Sequence, residues 1–329
     1  MIGHVKVSVI QTIVVLAIAV AVGKVLLGQK KYPWHEGPQW ERFLKNYDDS
    51  VAKNYNDCES KLIPTRFGAT QVHGCGDISK PAVLFLHGAR ASSIMYSDWL
   101  IPSLRKEHYA VAVDFICDIG RSVPKDKNTA NCPQNRQEMA EWLQAVVHGL
   151  SLHVNQVSLV GYSYGSFISA CTALILPDLV DKLVLIAPAA VFAPFETSWL
   201  WMVLLFRFVP FFGVDKFFKY MSADPDFDMK SKDLIMATGA VIDNDLVVSP
   251  EQFSDEALMQ ITSRHPTLLI IGREEKVTNA TLAADTARRT GVQVQLFPRS
   301  GHLLMVEHPR EAVNSLVESF LQSSNDPPM

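Results

Sequence analysis

Short apolar runs alternate with segments of helical periodicity along most of the chain. In 137–150, for example, Met139, Trp142, Val146 and Leu150 recur at the spacings of three and four that one face of a helix requires. Similar segments predict helices at 165–176 and 308–322. The apolar runs predict a pair of strands within 61–73, followed by buried strands at 82–86, 109–113, 157–161, 182–187, 267–271 and 292–297. This alternation predicts a mostly parallel central sheet with helices on both faces.

The alternation stops between Ala187 and Thr267. About eighty residues separate the two predicted strands, which is too long for a plain connection and predicts an inserted helical cap. We therefore expect an α/β core at 61–190 and 256–322, a cap at 191–255, and a flexible tail at 323–329.

The first part of the cap is dense in aromatic residues. They are Phe192, Phe195, Trp199, Trp201, Phe206, Phe208, Phe211, Phe212, Phe217 and Phe218. A cap must cover the apolar mouth of a site, so much of this density is expected to be core. The rest can form an apolar acyl or alcohol pocket, or touch a bilayer.

The N-terminal region, 1–31, contains an almost continuous apolar segment at 7–27. About 20 residues suffice to cross a bilayer, so this segment predicts a single-pass transmembrane helix that anchors the protein. A cleaved signal peptide, giving a secreted protein, and a helix buried on the enzyme surface are the alternatives. The flanking lysines favour a cytoplasmic catalytic domain. Residues 32–60 are expected to form a partly helical linker.

Composition narrows the class of partner and the redox state. The net charge is −4 and no basic stripe is present, which argues against a nucleic-acid partner. The five cysteines show no metal-binding spacing, and their odd number favours free thiols. A Cys58–Cys75 or Cys117–Cys132 disulfide is compatible with an oxidising compartment.

The stretch "LVGYSYGSF" suggests a nucleophile. Ser163 lies between Gly161 and Gly165, directly after a predicted strand and before a predicted helix. A strand that turns sharply into a helix needs small residues two positions before and after the serine. Ser163 is therefore the candidate nucleophile.

A serine needs a base, and the base needs an acid to orient it. His302 follows the final predicted strand and precedes a helix that can brace it, which makes it the candidate base. After the strand that ends at Gly272, Glu275 is favoured as the acid because its spacing places it at the tip of the loop. Glu274 is the alternative acid, and the other glutamate would form a solvated pair with Lys276.

Two backbone amides are candidates for an oxyanion hole. The amide of Tyr164 follows the nucleophile and begins a helix, where the dipole favours negative charge. The amide of Ala89 lies in "LHGARASS" at the end of the 82–86 strand, where Gly88 permits a tight turn. His87 is expected to be structural.

These motifs, with "DFICDIGRSVP", resemble those of the α/β-hydrolase superfamily, in its microbial carboxylesterase type. The resemblance covers roughly 60–322 and includes the order serine, acid, histidine. It implies the α/β-hydrolase fold. Two departures stand out: a glutamate takes the place of the commoner aspartate, and Cys117-Asp118 replaces the more usual Gly-Asp.

The sequence thus predicts a membrane-anchored serine esterase that cleaves apolar or lipid-like carboxylic esters through an acyl-enzyme. It needs no cofactor and no metal, and its partners are a small ester and the membrane. A thioesterase, an amidase or an acyltransferase would use the same residues, and a non-catalytic binding protein of this fold is the alternative from another class. A dehalogenase or epoxide hydrolase would need aspartate at position 163.

Overall fold

A nine-stranded sheet lies at the centre of the computed structural model, which describes residues 38–126, 129–153, 155–209, 213–227 and 248–323. The strand order is β1-β2-β4-β3-β6-β7-β8-β9, with β5 beside β2. The strands are β1 (Glu59–Thr65), β2 (Gly68–Cys75), β3 (Ala82–Leu86), β4 (Tyr109–Val113), β5 (Val123–Pro124), β6 (Val157–Tyr162), β7 (Val180–Ile186), β8 (Thr267–Gly272) and β9 (Gln293–Phe297). β1, β2 and β4 pair antiparallel, whereas β4, β3, β6, β7, β8 and β9 pair parallel.

The central strands are apolar along their whole length because both faces of the sheet are covered. β3, β4, β6 and β8 are buried at every position, while β1 at the edge is mostly exposed. Continuous apolar runs are typical of such doubly covered strands. The predicted runs at 82–86 and 109–113 coincide with β3 and β4, and the others agree with the observed strands within about two residues.

Helices cover both faces of the sheet, as predicted. The helices are α1 (Pro38–Asn54), α2 (Ile101–Leu104), α3 (Arg136–Gly149), α4 (Tyr164–Ile175), α5 (Thr197–Phe208), α6 (Val214–Met221), α7 (Asp255–Thr262), α8 (Ala280–Arg289) and α9 (Arg310–Gln322). One core cluster joins one face of the strands to α3, α4, α7 and α8. A second cluster joins the opposite face to α2 and α9. The α/β architecture is therefore confirmed.

Two disulfides correct the expectation of free thiols. Cys58 is bonded to Cys75 and Cys117 to Cys132, with Cα–Cα distances of 4.4 and 6.0 Å, and Cys171 is free and buried. The β1–β2 register, in which Glu59 faces Gly74, places Cys58 opposite Cys75 in the hairpin. The pairing follows from strand register, which cysteine spacing alone does not reveal.

Helix α1 lies within the predicted linker and packs against the core. Phe43 and Tyr47 are buried against Ile94 and Ile119. The predicted transmembrane segment, 7–27, lies outside the described residues. Within the ranges described above, no helix is both long and apolar enough to cross a bilayer.

Candidate active site

The candidate residues gather at one edge of the sheet. Ser163 follows β6, Ala89 lies in the loop after β3, Glu275 follows β8, and His302 follows β9. These strands run parallel, so their carboxyl ends meet at the same edge, where open α/β sheets bind ligands. The topology alone thus brings together residues far apart in the chain.

Ser163 lies on a strained turn between β6 and α4. Its φ of 51° and ψ of −109° fall in a region that non-glycine residues rarely adopt. A Cβ at Gly161 would lie 2.5 Å from the backbone of Gly165, and one at Gly165 would lie 1.9 Å from the carbonyl of Leu86. Only glycine fits both positions, as the elbow interpretation requires.

His302 connects the serine to Glu275. Its Nε2 lies 3.0 Å from Ser163 Oγ, and its Nδ1 lies 2.7 Å from Glu275 Oε2. The Glu275 carboxylate is almost fully buried, and its other oxygen accepts a 2.7 Å hydrogen bond from the Val277 amide. A carboxylate on Nδ1 favours the tautomer in which Nε2 can accept the serine proton.

Glu274 has a different environment. Its Oε2 accepts a 2.9 Å hydrogen bond from the Ser300 amide, and its own amide donates to the Ser300 carbonyl. The side chain is exposed and braces the turn that leads to His302. Of the two glutamates, the structure brings only Glu275 to the imidazole.

The two candidate oxyanion donors flank the serine. Tyr164 begins α4 directly after Ser163, and Gly88, beside Ala89, lies so close that a Cβ added to it would be 3.5 Å from Ser163 Cβ. Within the part of the chain that the structure describes, no hydrogen bond uses the amide of Ala89 or of Tyr164. Both amides are therefore available to a developing negative charge.

Known proteins are similar to this chain over most of its length. The model of the alpha/beta hydrolase family matches residues 83–316. The chain belongs to the α/β-hydrolase family. Carboxylesterase YbfK of Bacillus subtilis (strain 168) is 28% identical over 293 residues, which cover 85% of this chain and 93% of that protein.

Two further relatives carry similar names. The uncharacterized carboxylesterase nap of the same organism is 28% identical over 86% of this chain and 93% of its own length. The crystal structure of naproxen esterase from Bacillus subtilis has a TM-score of 0.76 at 26% identity and covers 87% of this chain and 99% of that one. These relatives support hydrolysis of ester bonds as the activity of this α/β-hydrolase.

Asp118 shapes the loop that carries Ala89. Its carboxylate accepts hydrogen bonds from the amides of Arg90, at 3.1 Å, and Ile119, at 2.8 Å. Burial raises the pKa of Asp118. Cys117 has a φ of 63°, which is the left-handed conformation that glycine favours. This cysteine, bonded to Cys132, thus adopts the backbone conformation expected of the more usual glycine.

Asp114 and His87 also fix this loop. The Asp114 carboxylate accepts from the amides of Ser93 and Arg121, both at 2.7 Å, and from the Tyr47 hydroxyl of α1 at 2.9 Å. His87 Nε2 accepts from the Phe115 amide at 3.0 Å, which fits the structural role expected from the sequence.

Two residues at the site were not identified from the sequence. The Tyr162 hydroxyl donates to the carbonyl of His302. Glu307 is buried and accepts from the Gly301 amide at 2.7 Å, and from the Ser222 hydroxyl and Ala223 amide at 2.8 Å. The position of Glu307 in "SGHLLMVEHP", five residues after the histidine, is the one signal that could have identified it.

The arrangement is suited to proton transfer and covalent catalysis. A hydroxyl, an imidazole and a buried carboxylate in series can generate a nucleophile, and two nearby amides can stabilise an oxyanion. Among the residues that the structure describes, no group of three or more His, Cys, Asp or Glu side chains could hold a metal ion. That no cofactor or metal is needed stays a prediction.

Proposed function

We propose that this α/β-hydrolase cleaves carboxylic esters through an acyl-enzyme formed on Ser163. The observation that carries the proposal is the pair of hydrogen-bond distances, 3.0 and 2.7 Å, that link Ser163 Oγ to His302 and His302 to Glu275. The carboxylesterase relatives support the same class of substrate.

In this mechanism, Ser163 Oγ attacks the ester carbonyl as His302 Nε2 accepts its proton. Glu275 orients His302 and stabilises the imidazolium. The amides of Ala89 and Tyr164 bind the oxyanion, which collapses as His302 returns the proton to the leaving alcohol. Water, deprotonated by His302, then attacks the acyl-enzyme, and the acid leaves as Ser163 recovers its proton.

An apolar or lipid-like ester is the substrate that the cap supports. Phe195, Trp199 and Phe217 pack against the core cluster that contains Leu303 and Leu304, the residues directly after His302. The rings of Trp199 and Phe217 lie 5.2 Å apart. Apolar side chains therefore adjoin the site on the side of His302, where an acyl or alcohol chain can pack.

The cellular location belongs to the same proposal. We expect 7–27 to anchor the protein in a membrane, or, if cleaved, to direct its secretion. The two disulfides support an oxidising compartment for the catalytic domain, and not the cytoplasmic side that the flanking lysines favour.

A panel of p-nitrophenyl esters of increasing acyl length, with thioester and anilide analogues, tests the substrate class. The purified full chain is expected to hydrolyse the esters and to have its highest kcat/KM on the longer acyl groups. A higher kcat/KM on the thioesters or anilides would contradict ester hydrolysis as the main activity. No turnover of any analogue would favour the non-catalytic alternative.

The acid assignment is tested by paired variants. We expect Glu275→Gln to lower kcat by about 10³- to 10⁴-fold, because an amide no longer holds the required tautomer. Glu274→Gln is the matched control and should stay within about threefold of wild type, since the glutamine oxygen can still accept the hydrogen bond from the Ser300 amide. An equal loss in both variants would contradict the assignment of Glu275.

A further inference from the structure

Helix α5 of the cap exposes an apolar face, here called the α5 outer face. The side chains that form it are 40% to 54% exposed, and they are Leu200, Trp201, Leu204 and Leu205 of the helix and Val209, which directly follows it. The spacing of these residues places them on one side of the helix. The other large exposed apolar side chains among the described residues are separated along the chain, as Met259 on α7 and Leu282 on α8 are. Single exposed residues are ordinary, whereas a contiguous patch marks an interaction site.

The opposite side of α5 is also apolar and is already in contact with the protein. Phe206 stacks on Phe217 of α6, with ring centroids 4.4 Å apart, and the tilted ring of Trp199 lies 5.2 Å from the same phenylalanine. The helix is thus apolar around most of its circumference. Such helices are found in large cores or in lipid, and only one side of α5 has a core to face.

The cap lies at the active-site edge of the sheet. The Glu196 amide, at the start of α5, donates to the carbonyl of Val277 after β8. The His302 amide, after β9, donates to the carbonyl of Met221 at the end of α6. Both ends of the α5–α6 pair are therefore attached to loops at the carboxyl ends of parallel strands.

Helix α1 begins at the same edge. The Tyr47 hydroxyl donates a hydrogen bond to Asp114, which directly follows the carboxyl end of β4. Cys58, four residues after α1, instead forms the disulfide with Cys75. Cys75 pairs with Ala110, near the amino end of β4. The chain therefore runs from the active-site edge to the opposite edge. Pro38, about 13 Å before Tyr47 along the helix, lies beyond the carboxyl ends of the strands.

The preceding chain thus leaves α1 at the end of the molecule where α5 lies. Residues 28–37 connect the apolar segment 7–27 to α1 and reach at most about 35 Å when extended. A bilayer that holds 7–27 would then lie within about 35 Å of Pro38, on the side of the molecule where α5 begins.

We infer that the α5 outer face lies in the interface of a lipid bilayer, so that the cap takes apolar esters directly from the membrane. This inference rests on the proposed function. Trp201 suits the interfacial region, where tryptophan is enriched, and the exposed Lys219 of the adjoining α6 suits anionic headgroups.

Fluorescence quenching tests the contact without relying on activity. The full chain is reconstituted into phosphatidylcholine vesicles whose acyl chains carry bromine, which quenches nearby tryptophan. Trp201→Phe should lower the quenched fraction of the emission. Trp199→Phe, on the opposite side of the same helix, is the matched control and should not lower it. An unchanged quenched fraction in Trp201→Phe would overturn the inference. A dimer in which Trp201 stays unquenched would also overturn it, because a second copy of the chain would then cover the α5 outer face.

Activity tests the consequence for substrate delivery. The measured quantity is the ratio of two hydrolysis rates, that of a long-chain ester embedded in the vesicles to that of a short soluble ester. Leu200→Glu with Leu204→Glu should lower this ratio about tenfold, because interfacial binding scales with buried apolar area. The matched control is the double variant Met259→Glu with Leu282→Glu, which alters similarly exposed residues. Its rate ratio should stay within about twofold of wild type. An equal ratio in both double variants would overturn delivery from the membrane. If no variant hydrolyses either ester while Trp201→Phe still lowers quenching, the proposed function fails and the lipid contact stands.

Discussion

At the scale of single residues, the turn at Ser163 depends on two positions that admit no side chain. The chain passes between β6 and α4 with the Gly165 backbone pressed against the carbonyl of Leu86. Ser163 itself holds a positive φ, and its amide donates to the carbonyl of Ile186 at 2.8 Å. The surrounding backbone thus fixes the strained conformation.

Gly165→Ala should therefore destabilise the protein by about 3 kcal/mol or more, because a Cβ 1.9 Å from an oxygen forces the backbone apart. The thermal unfolding midpoint is the measurement. Gly213→Ala is the matched control, since a Cβ there meets nothing within 4 Å. Equal midpoints for the two variants would show that the elbow is looser than the structure indicates.

At the scale of elements, Glu307 joins the end of α6 to the loop that carries His302. Its carboxylate binds the end of α6 through Ser222 and Ala223, and the His302 loop through Gly301. A buried carboxylate with three donors holds both segments in one arrangement. Glu307 is thus a positioning residue for His302.

Glu307→Ala is expected to lower kcat about 10- to 100-fold with little change in KM, because a small misplacement of the base slows the chemical step. Glu307→Gln should recover part of the loss, and Glu311→Ala, an exposed acid on α9, should have no effect. A change confined to KM or to the unfolding midpoint would indicate a purely structural role.

The elements also show what the sequence could predict. Central strands were predicted correctly because burial on both faces makes them continuously apolar. Ser163, Glu275 and His302 could be proposed because each follows a predicted strand. Glu307 and Tyr162 were not identified, since their roles depend on which backbone groups the fold brings to them. The Cys58–Cys75 bond likewise depends on hairpin register. Long-range pairing of polar groups leaves little trace in local patterns.

At the scale of the whole molecule, the disulfides bear on where the protein works. Titration of the unreduced chain should detect one thiol per molecule after unfolding, that of Cys171, and almost none before. Burial raises the pKa of Cys171 to about 12, which keeps the native thiol unreactive. Five thiols in the unfolded chain would contradict both disulfides and the oxidising compartment that they support.

For the whole molecule, we propose a single reaction centre at Ser163. Labelling with a fluorophosphonate probe, followed by mapping of the modified peptide, tests that centre most directly. The wild-type chain should carry one label on Ser163, and Ser163→Ala should carry none while unfolding at the same temperature. Labelling that persists in Ser163→Ala, or a wild-type chain that does not react, would contradict the account.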